Sequence, residues 1–146
     1  SHVAHDCIVG SHCILSNNGT LAGHVIVEDH VILSGLSAVH QFCRLGARSM
    51  IGGCTKIVQD VPPFTMVDGN PGRARGLNLV GLRRAGFSEE NIKAINSAYR
   101  KIYRKGLNTS QALAAIREGG VTPEVEQFAS FVEVSKRGIV GTERVE

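Results

Sequence analysis

Tryptophan is absent from this chain of 146 residues, aromatic residues of all kinds make up 5% of it, and there are only four prolines. No apolar run approaches the about 20 residues of a membrane-crossing helix, so a helical span is excluded. No block of Lys and Arg carries interleaved aromatics, which argues against a nucleic-acid surface. The richest basic run, RKIYRK at 100–105, reads as a helix face. The four cysteines include no CxxC pair and no signal-peptide pattern is visible, so no disulfide framework is expected. An initiator Met is also missing. The chain starts on SHVAHDC, inside a pattern already running, and is expected to be an N-terminally truncated piece of a longer protein. With 42% hydrophobic residues, 20% charged residues and a net charge of +3, the remainder fits a globular protein with a mild attraction to acidic partners.

What is present is a repeat. Stepping by six from Val3 gives Val9, Leu15, Leu21, Val27, Leu33, Val39, Leu45, Ile51 and Ile57, all branched aliphatics. Four positions after each come Cys7, Cys13, Gly19, Val25, Val31, Ser37, Cys43, Ser49, Thr55 and Val61, all small or β-branched. Neither the helical period of 3.6 nor the strand period of 2 produces this spacing. A hexapeptide repeat does, with short strands winding into stacked coils and one branched residue per hexapeptide pointing inward. Cys7, Cys13 and Cys43 then occupy the small-residue slot and Cys54 lies one position before it, so all four are expected to be buried, reduced packing residues. Ile8, Ile14, Ile26 and Ile32 flank core positions from outside and suggest a subunit interface.

Around residue 60 the repeat gives way to VQDVPPFTMVDGNPGRARG, rich in turn formers. Helical spacing follows. Ser88 is an N-cap with Glu89 and Glu90 in the first turn, and Ile92, Ile95, Tyr99 and Ile102 carry the helix to about Arg104. A second helix is expected from near Thr109 to the Gly119–Gly120 pair, and a third from Pro123 with Val125, Phe128, Phe131 and Val132 as its apolar face. The expected organisation is mainly β: a parallel β-helix over 1–62, then a connector and a small α-helical domain over 63–146.

With three hexapeptides to a coil, residues eighteen apart lie one above another at about 4.8 Å. His5 then stacks under Gly23 and Gly23 under Gln41, while Asp6 stacks under His24 and His40 stands beside Gln41. His2, His5, Asp6, Gly23, His24, His40 and Gln41 therefore converge on one edge, and such polar clusters favour sites. His12 and His30 are read as surface residues. A zinc site built on His5 and His40 is a second reading, but no repeat position supplies a secure third ligand. No metal is expected.

HVAHDCIVGSHCILSNNGTLAGHVIVEDHVILSGLSAVHQF, then MIGGCTKIVQDVPPF and GLNLVGLRRAGFS, closely resemble the acyl-ACP–UDP-N-acetylglucosamine O-acyltransferase family. The resemblance implies a left-handed β-helix, a homotrimer, a bacterial cytoplasmic location and no cofactor. It implies transfer of an (R)-3-hydroxyacyl group from acyl carrier protein to the 3-hydroxyl of UDP-N-acetylglucosamine, the first step of lipid A biosynthesis. In that family's terms His5 matches the general base, Asp6 the residue that orients it, and Gly23 the N–H donor of an oxyanion hole. His2, His24, His40 and Gln41 match substrate-contacting positions, Asn78 and Arg84 match nucleotide contacts, and Gly53 aligns with the position that limits acyl length. Ala85 stands where a second Arg is often present, and Val80 where some members carry an acid. Two alternatives stay open: the related N-acyltransferase of lipid A synthesis, and an inactive trimeric fragment.

Overall fold

A computed structural model describes residues 1–104 and 106–142; Lys105, at the end of the basic run, and residues 143–146 lie outside it. Strands of two residues, numbered in chain order, build three parallel ladders. The first contains β1 (His2–Val3), β4 (Thr20–Leu21), β7 (Ala38–Val39) and β10 (Lys56–Ile57), and the second β2 (Ile8–Val9), β5 (Ile26–Val27) and β8 (Arg44–Leu45). The third contains β3 (Ile14–Leu15), β6 (Ile32–Leu33) and β9 (Met50–Ile51), and is continued by β11 (Thr65–Asp68) and β12 (Arg73–Leu77). Val3 pairs with Leu21, Leu21 with Val39 and Val39 with Ile57, a shift of eighteen residues at each step. The result is a left-handed parallel β-helix of about four turns, with helices at its C-terminal end.

The corners explain why the repeat is six residues long. At every sixth residue from Asp6 to Cys54 the backbone turns through a left-handed conformation, with φ between 57° and 66°. None of these nine residues is glycine, although an L-residue there costs about 1–2 kcal/mol. From His24 onward the compensation is a hydrogen bond along the stack. The N–H of His24 donates to the His5 carbonyl at 3.0 Å, that of Phe42 to Gly23 at 3.1 Å, and that of Cys54 to Gly35 at 3.0 Å. Inside the coils Leu21, Val27, Leu33, Val39, Leu45, Ile51 and Ile57 are almost completely buried. Val3 and Val9 hold the same repeat positions yet are exposed, because among the described residues no coil covers that end of the stack.

Two expectations are corrected here. Cys43 is buried, and burial pushes its thiol up to about 11, but Cys7 and Cys13 are only half-buried and Cys54 is exposed. Cys54 sits on the left-handed corner itself, where side chains point outward. All four thiols are free. The presumed connector also carries regular structure: β11 lies on β9 with Val67 opposite Ile51, so the coil stack runs beyond residue 62.

A short helix, α1 (Leu79–Arg84), follows β12 and was not anticipated from periodicity. The three expected helices are α2 (Glu89–Tyr103), α3 (Thr109–Glu118) and α4 (Pro123–Val134), capped by Ser88, Asn108 and Thr122. Their apolar faces close a second core around Phe64, Leu82, Ile95 and Phe128. Tyr99 packs against both cores and joins them.

Leu33 and Leu36 separate the two forces that shape a coil. Leu33→Ala empties a completely buried position and is expected to cost about 2–5 kcal/mol in urea unfolding. Leu36→Gly, at an exposed corner with φ 60°, relieves left-handed strain that offsets the about 0.5–1 kcal/mol entropic cost of glycine, leaving stability unchanged or slightly raised. A comparable loss in both variants would contradict this division.

Candidate active site

The first corner, between the first and second ladders, gathers the imidazoles. His5 and Asp6 follow β1, Gly23 and His24 follow β4, and His40 and Gln41 follow β7, so three successive coils deliver them to one edge. Asp6 and His24 are both left-handed corner residues, which turns their side chains outward. His5 Nδ1 lies 3.0 Å from Asp6 Oδ2, and His24 Nε2 lies 3.8 Å from the same oxygen. The hydrogen bond with His5, and secondly the His24 imidazole, hold the Asp6 carboxyl below its ordinary value. An ionised carboxylate only accepts hydrogen bonds, so Nδ1 of His5 carries a proton and Nε2 is the nitrogen left open to a substrate. That is the arrangement of a general base with its orienting acid.

Gly23 faces this ring. A Cβ there would stand 2.8 Å from His5 Cε1 and 2.9 Å from Nε2, so the space left by the missing side chain is filled by the imidazole itself. Among the described residues the Gly23 N–H meets no acceptor. A buried glycine with a spare N–H beside a base suits stabilisation of an oxyanion.

Stacking organises the rest of the corner. The His24 ring lies parallel to Phe42 with centroids 4.7 Å apart, and meets His5 edge-on at 5.1 Å. Phe42 was missed in the sequence, although it stands eighteen residues after His24 and the register alone points to it. His2 lies exposed on β1 of the adjoining ladder face. His40 Nδ1 is 3.2 Å from the Gln41 carbonyl oxygen. The donor atoms of His5, Asp6 and His24 lie within 4.8 Å of one another, so the zinc reading rests on these three rather than on His5 and His40. A metal bound to Asp6 Oδ2 would compete with the His5–Asp6 hydrogen bond.

The remaining candidates lie elsewhere. Asn78 and Arg84 sit at the second corner, where His12, His30, Arg48, Asn78 and Arg84 line a cleft of about 400 Å³. His12 and His30 stack at 4.9 Å and, with Arg48, form one column at eighteen-residue spacing. They are thus not scattered surface residues but the wall of a basic cleft. Asn78 is buried and engaged: its Oδ1 accepts from the Gly81 N–H at 3.2 Å and its Nδ2 donates to the Arg48 carbonyl at 3.1 Å, so it ties α1 to the coil. Ala85 lines the same cleft, and Val80 is exposed. Gly53 occupies the third corner, above Gly35, where an added Cβ would meet only the Gly35 carbonyl at 3.5 Å. The candidates are therefore distributed over three edges, with His5 at the first corner, Arg84 at the second and Gly53 at the third.

A hexapeptide-repeat β-helix with an imidazole–carboxylate pair at one corner is an architecture of acyltransferases. Residues 60–140 match the model of UDP N-acetylglucosamine O-acyltransferase, domain 2, and the chain belongs to that family. It is 50% identical over 140 residues to the acyl-[acyl-carrier-protein]–UDP-N-acetylglucosamine O-acyltransferase of Pseudomonas fluorescens, covering 95% of this chain and 54% of that protein. The solved structure of LpxA from Acinetobacter baumannii superposes with a TM-score of 0.88 at 45% identity, covering 92% of this chain and 53% of that one. The Francisella novicida UDP-N-acetylglucosamine acyltransferase gives 0.88 at 39% identity, covering 95% and 51%. The chain spans about half the length of the curated relatives it matches.

The electrostatic pairing is directly measurable. In a carbon-13 NMR titration the Asp6 carboxyl is expected to titrate below the ordinary 3.8, and in His5→Ala its midpoint moves up toward that value, because the hydrogen bond that lowers it is gone. The pair's contribution to stability is correspondingly present above the ordinary carboxylate range and lost as pH falls through the depressed value. An unchanged midpoint in the variant would mean the bond does not form in solution.

Proposed function

We propose that the protein transfers an (R)-3-hydroxyacyl group from acyl carrier protein to the 3-hydroxyl of UDP-N-acetylglucosamine, as a homotrimer in the bacterial cytoplasm, in the first step of lipid A biosynthesis. The observation that carries this reading is the His5–Asp6 pair at 3.0 Å with Gly23 against the ring. His5 Nε2 takes the proton of the sugar hydroxyl as its oxygen attacks the thioester carbonyl. The Gly23 N–H receives the oxyanion of the tetrahedral intermediate. As the intermediate collapses the C–S bond breaks, and the thiolate of the carrier's prosthetic arm recovers the proton from the imidazolium. Asp6 holds the ring in the required tautomer throughout. No metal takes part.

His24, His40, Gln41 and His2 line the edge on which the substrates would lie. The second-corner cleft suits the diphosphate: Arg84 and Arg48 offer fixed positive charge, His12 and His30 offer ring N–H donors, and Asn78 acts by holding α1 in place. That cleft and His5 lie on different edges of one chain, which supports a site completed by a second copy. Exposed Ile8 and Ile14 on the outer ladder faces support the same assembly. Gly53, on the third edge, would then limit acyl length along a subunit boundary rather than within one coil stack.

Loss of a general base typically costs about 10²–10⁴-fold. His5→Ala is expected to lower kcat by about a hundredfold or more with the circular-dichroism spectrum unchanged, and Asp6→Asn to be milder, since the imidazole remains but is wrongly held. Transfer from an acyl-ACP to UDP-N-acetylglucosamine, followed by mass spectrometry of the product, measures this. Retention of more than about a tenth of the activity in His5→Ala would remove it from the role of base.

A further inference from the structure

Beyond the aligned motifs, the chain returns to the first corner from its C-terminal end. After α4, residues 135–142 lie against the coils as a strap. Asp60, buried between them, is the lock. Its Oδ2 accepts from the Ser135 hydroxyl at 2.6 Å, and its Oδ1 accepts from the Arg44 N–H at 2.9 Å. Its own N–H donates to the Gly138 carbonyl at 3.0 Å, and its carbonyl accepts from the Val140 N–H at 2.9 Å. From this fixed segment Arg137 reaches the imidazole corner. Its Nη1 donates to the Gln41 carbonyl at 2.9 Å, and its Nη2 lies 3.4 Å from both the Val58 carbonyl and His40 Nδ1.

We propose that Arg137 is a positioning residue of the site: its guanidinium fixes the His40–Gln41 turn from a strap that Asp60 locks onto the coils. This rests on the acyltransferase reading only for what His40 and Gln41 then contact. Two contacts compete for His40 Nδ1, since the Gln41 carbonyl is an acceptor at 3.2 Å and the guanidinium only a donor at 3.4 Å. Both arrangements occupy Nδ1 within the Arg137–Gln41 fork and leave Nε2 as the nitrogen that faces a substrate. The shorter contact favours Nδ1–H donating to Gln41, with the carbonyl's second lone pair held by Arg137. A planar fork reaches several acceptors at once and a lysine ammonium does not, so the position calls for Arg. Because the guanidinium approaches the Gln41 carbonyl rather than its side chain, Arg137 acts on where the turn sits and takes no part in proton transfer.

The test uses Arg137→Met and Arg137→Lys in the intact protein. Arg137→Met is expected to raise KM for a substrate about tenfold with kcat within about threefold, the signature of lost positioning rather than lost chemistry. Arg137→Lys falls between it and the parent. Added guanidinium restores part of the loss in the Met variant, since residue 137 is exposed. Long-range proton–nitrogen NMR of the ring nitrogens should show the His40 signals displaced in the Met variant while those of His12 and His30 stay in place. Unchanged His40 signals overturn the proposal. So does a KM rise that follows a loss of thermal stability and resists guanidinium, because the strap would then be structural only. If no variant, nor the parent, transfers an acyl group from acyl-ACP, the functional reading fails while the His40 spectrum still decides the role of Arg137.

Discussion

The vertical hydrogen bond between coils is the interaction on which the rest depends. It sets the eighteen-residue shift that stacks Val3, Leu21, Val39 and Ile57 into one ladder, and the same shift stacks Asp6, His24 and Phe42 at the corner. It also supports the left-handed corners at His24, His30, Leu36, Phe42, Arg48 and Cys54, whose N–H groups each donate to a carbonyl of the neighbouring coil. A one-residue slip would send core residues outward and dissolve the site together with the core. Core and corner are thus maintained by one register, which brings His5 and Gln41, 36 positions apart in the sequence, to one edge.

The first corner is exposed, with the His5 and Asp6 side chains 73% and 67% accessible. An ion pair this open contributes little to stability in water. What it does is orient: the carboxylate holds Nδ1 and sets the ring against Gly23. Proton transfer and oxyanion stabilisation grow stronger once water is excluded, and a single coil stack does not exclude it. A neighbouring copy and the substrates themselves would supply the walls. The basic cleft at the second corner makes the same point, since it gathers Arg48, Arg84, His12 and His30 on an edge that His5 does not share.

Much of this was legible in the sequence because the repeat is a ruler. The period of six located the core, the shift of eighteen placed His5 beside Gly23 and Asp6 beside His24, and cap residues such as Ser88 marked the helices. The same ruler places His12, His30 and Arg48 in one column and Phe42 above His24, a juxtaposition visible only when the eighteen-residue shift is applied to every corner. Other features carry no periodic signal. The β11–β12 pair lies in a segment whose prolines and glycines suggest only turns, and it is a strand because β9 offers an open ladder edge. Asn78 matches a nucleotide contact by resemblance, and its side chain is bonded to the Gly81 N–H and the Arg48 carbonyl, which no periodicity indicates. Arg137 lies 96 residues from Gln41 and comes to it only through the fold of the helical domain.

In the proposed assembly the first corner of one copy and the second corner of another form one reaction site. Mixing is the most direct measurement. His5→Ala and Arg84→Ala, each purified as an inactive homo-oligomer, are unfolded together, refolded and assayed for acyl transfer. Mixed assemblies are expected to regain a substantial fraction of parental activity, because some boundaries then pair an intact His5 corner with an intact Arg84 cleft. If the mixture stays as inactive as its components although hetero-oligomers form, the two corners do not serve the same site, and the shared-site account is wrong.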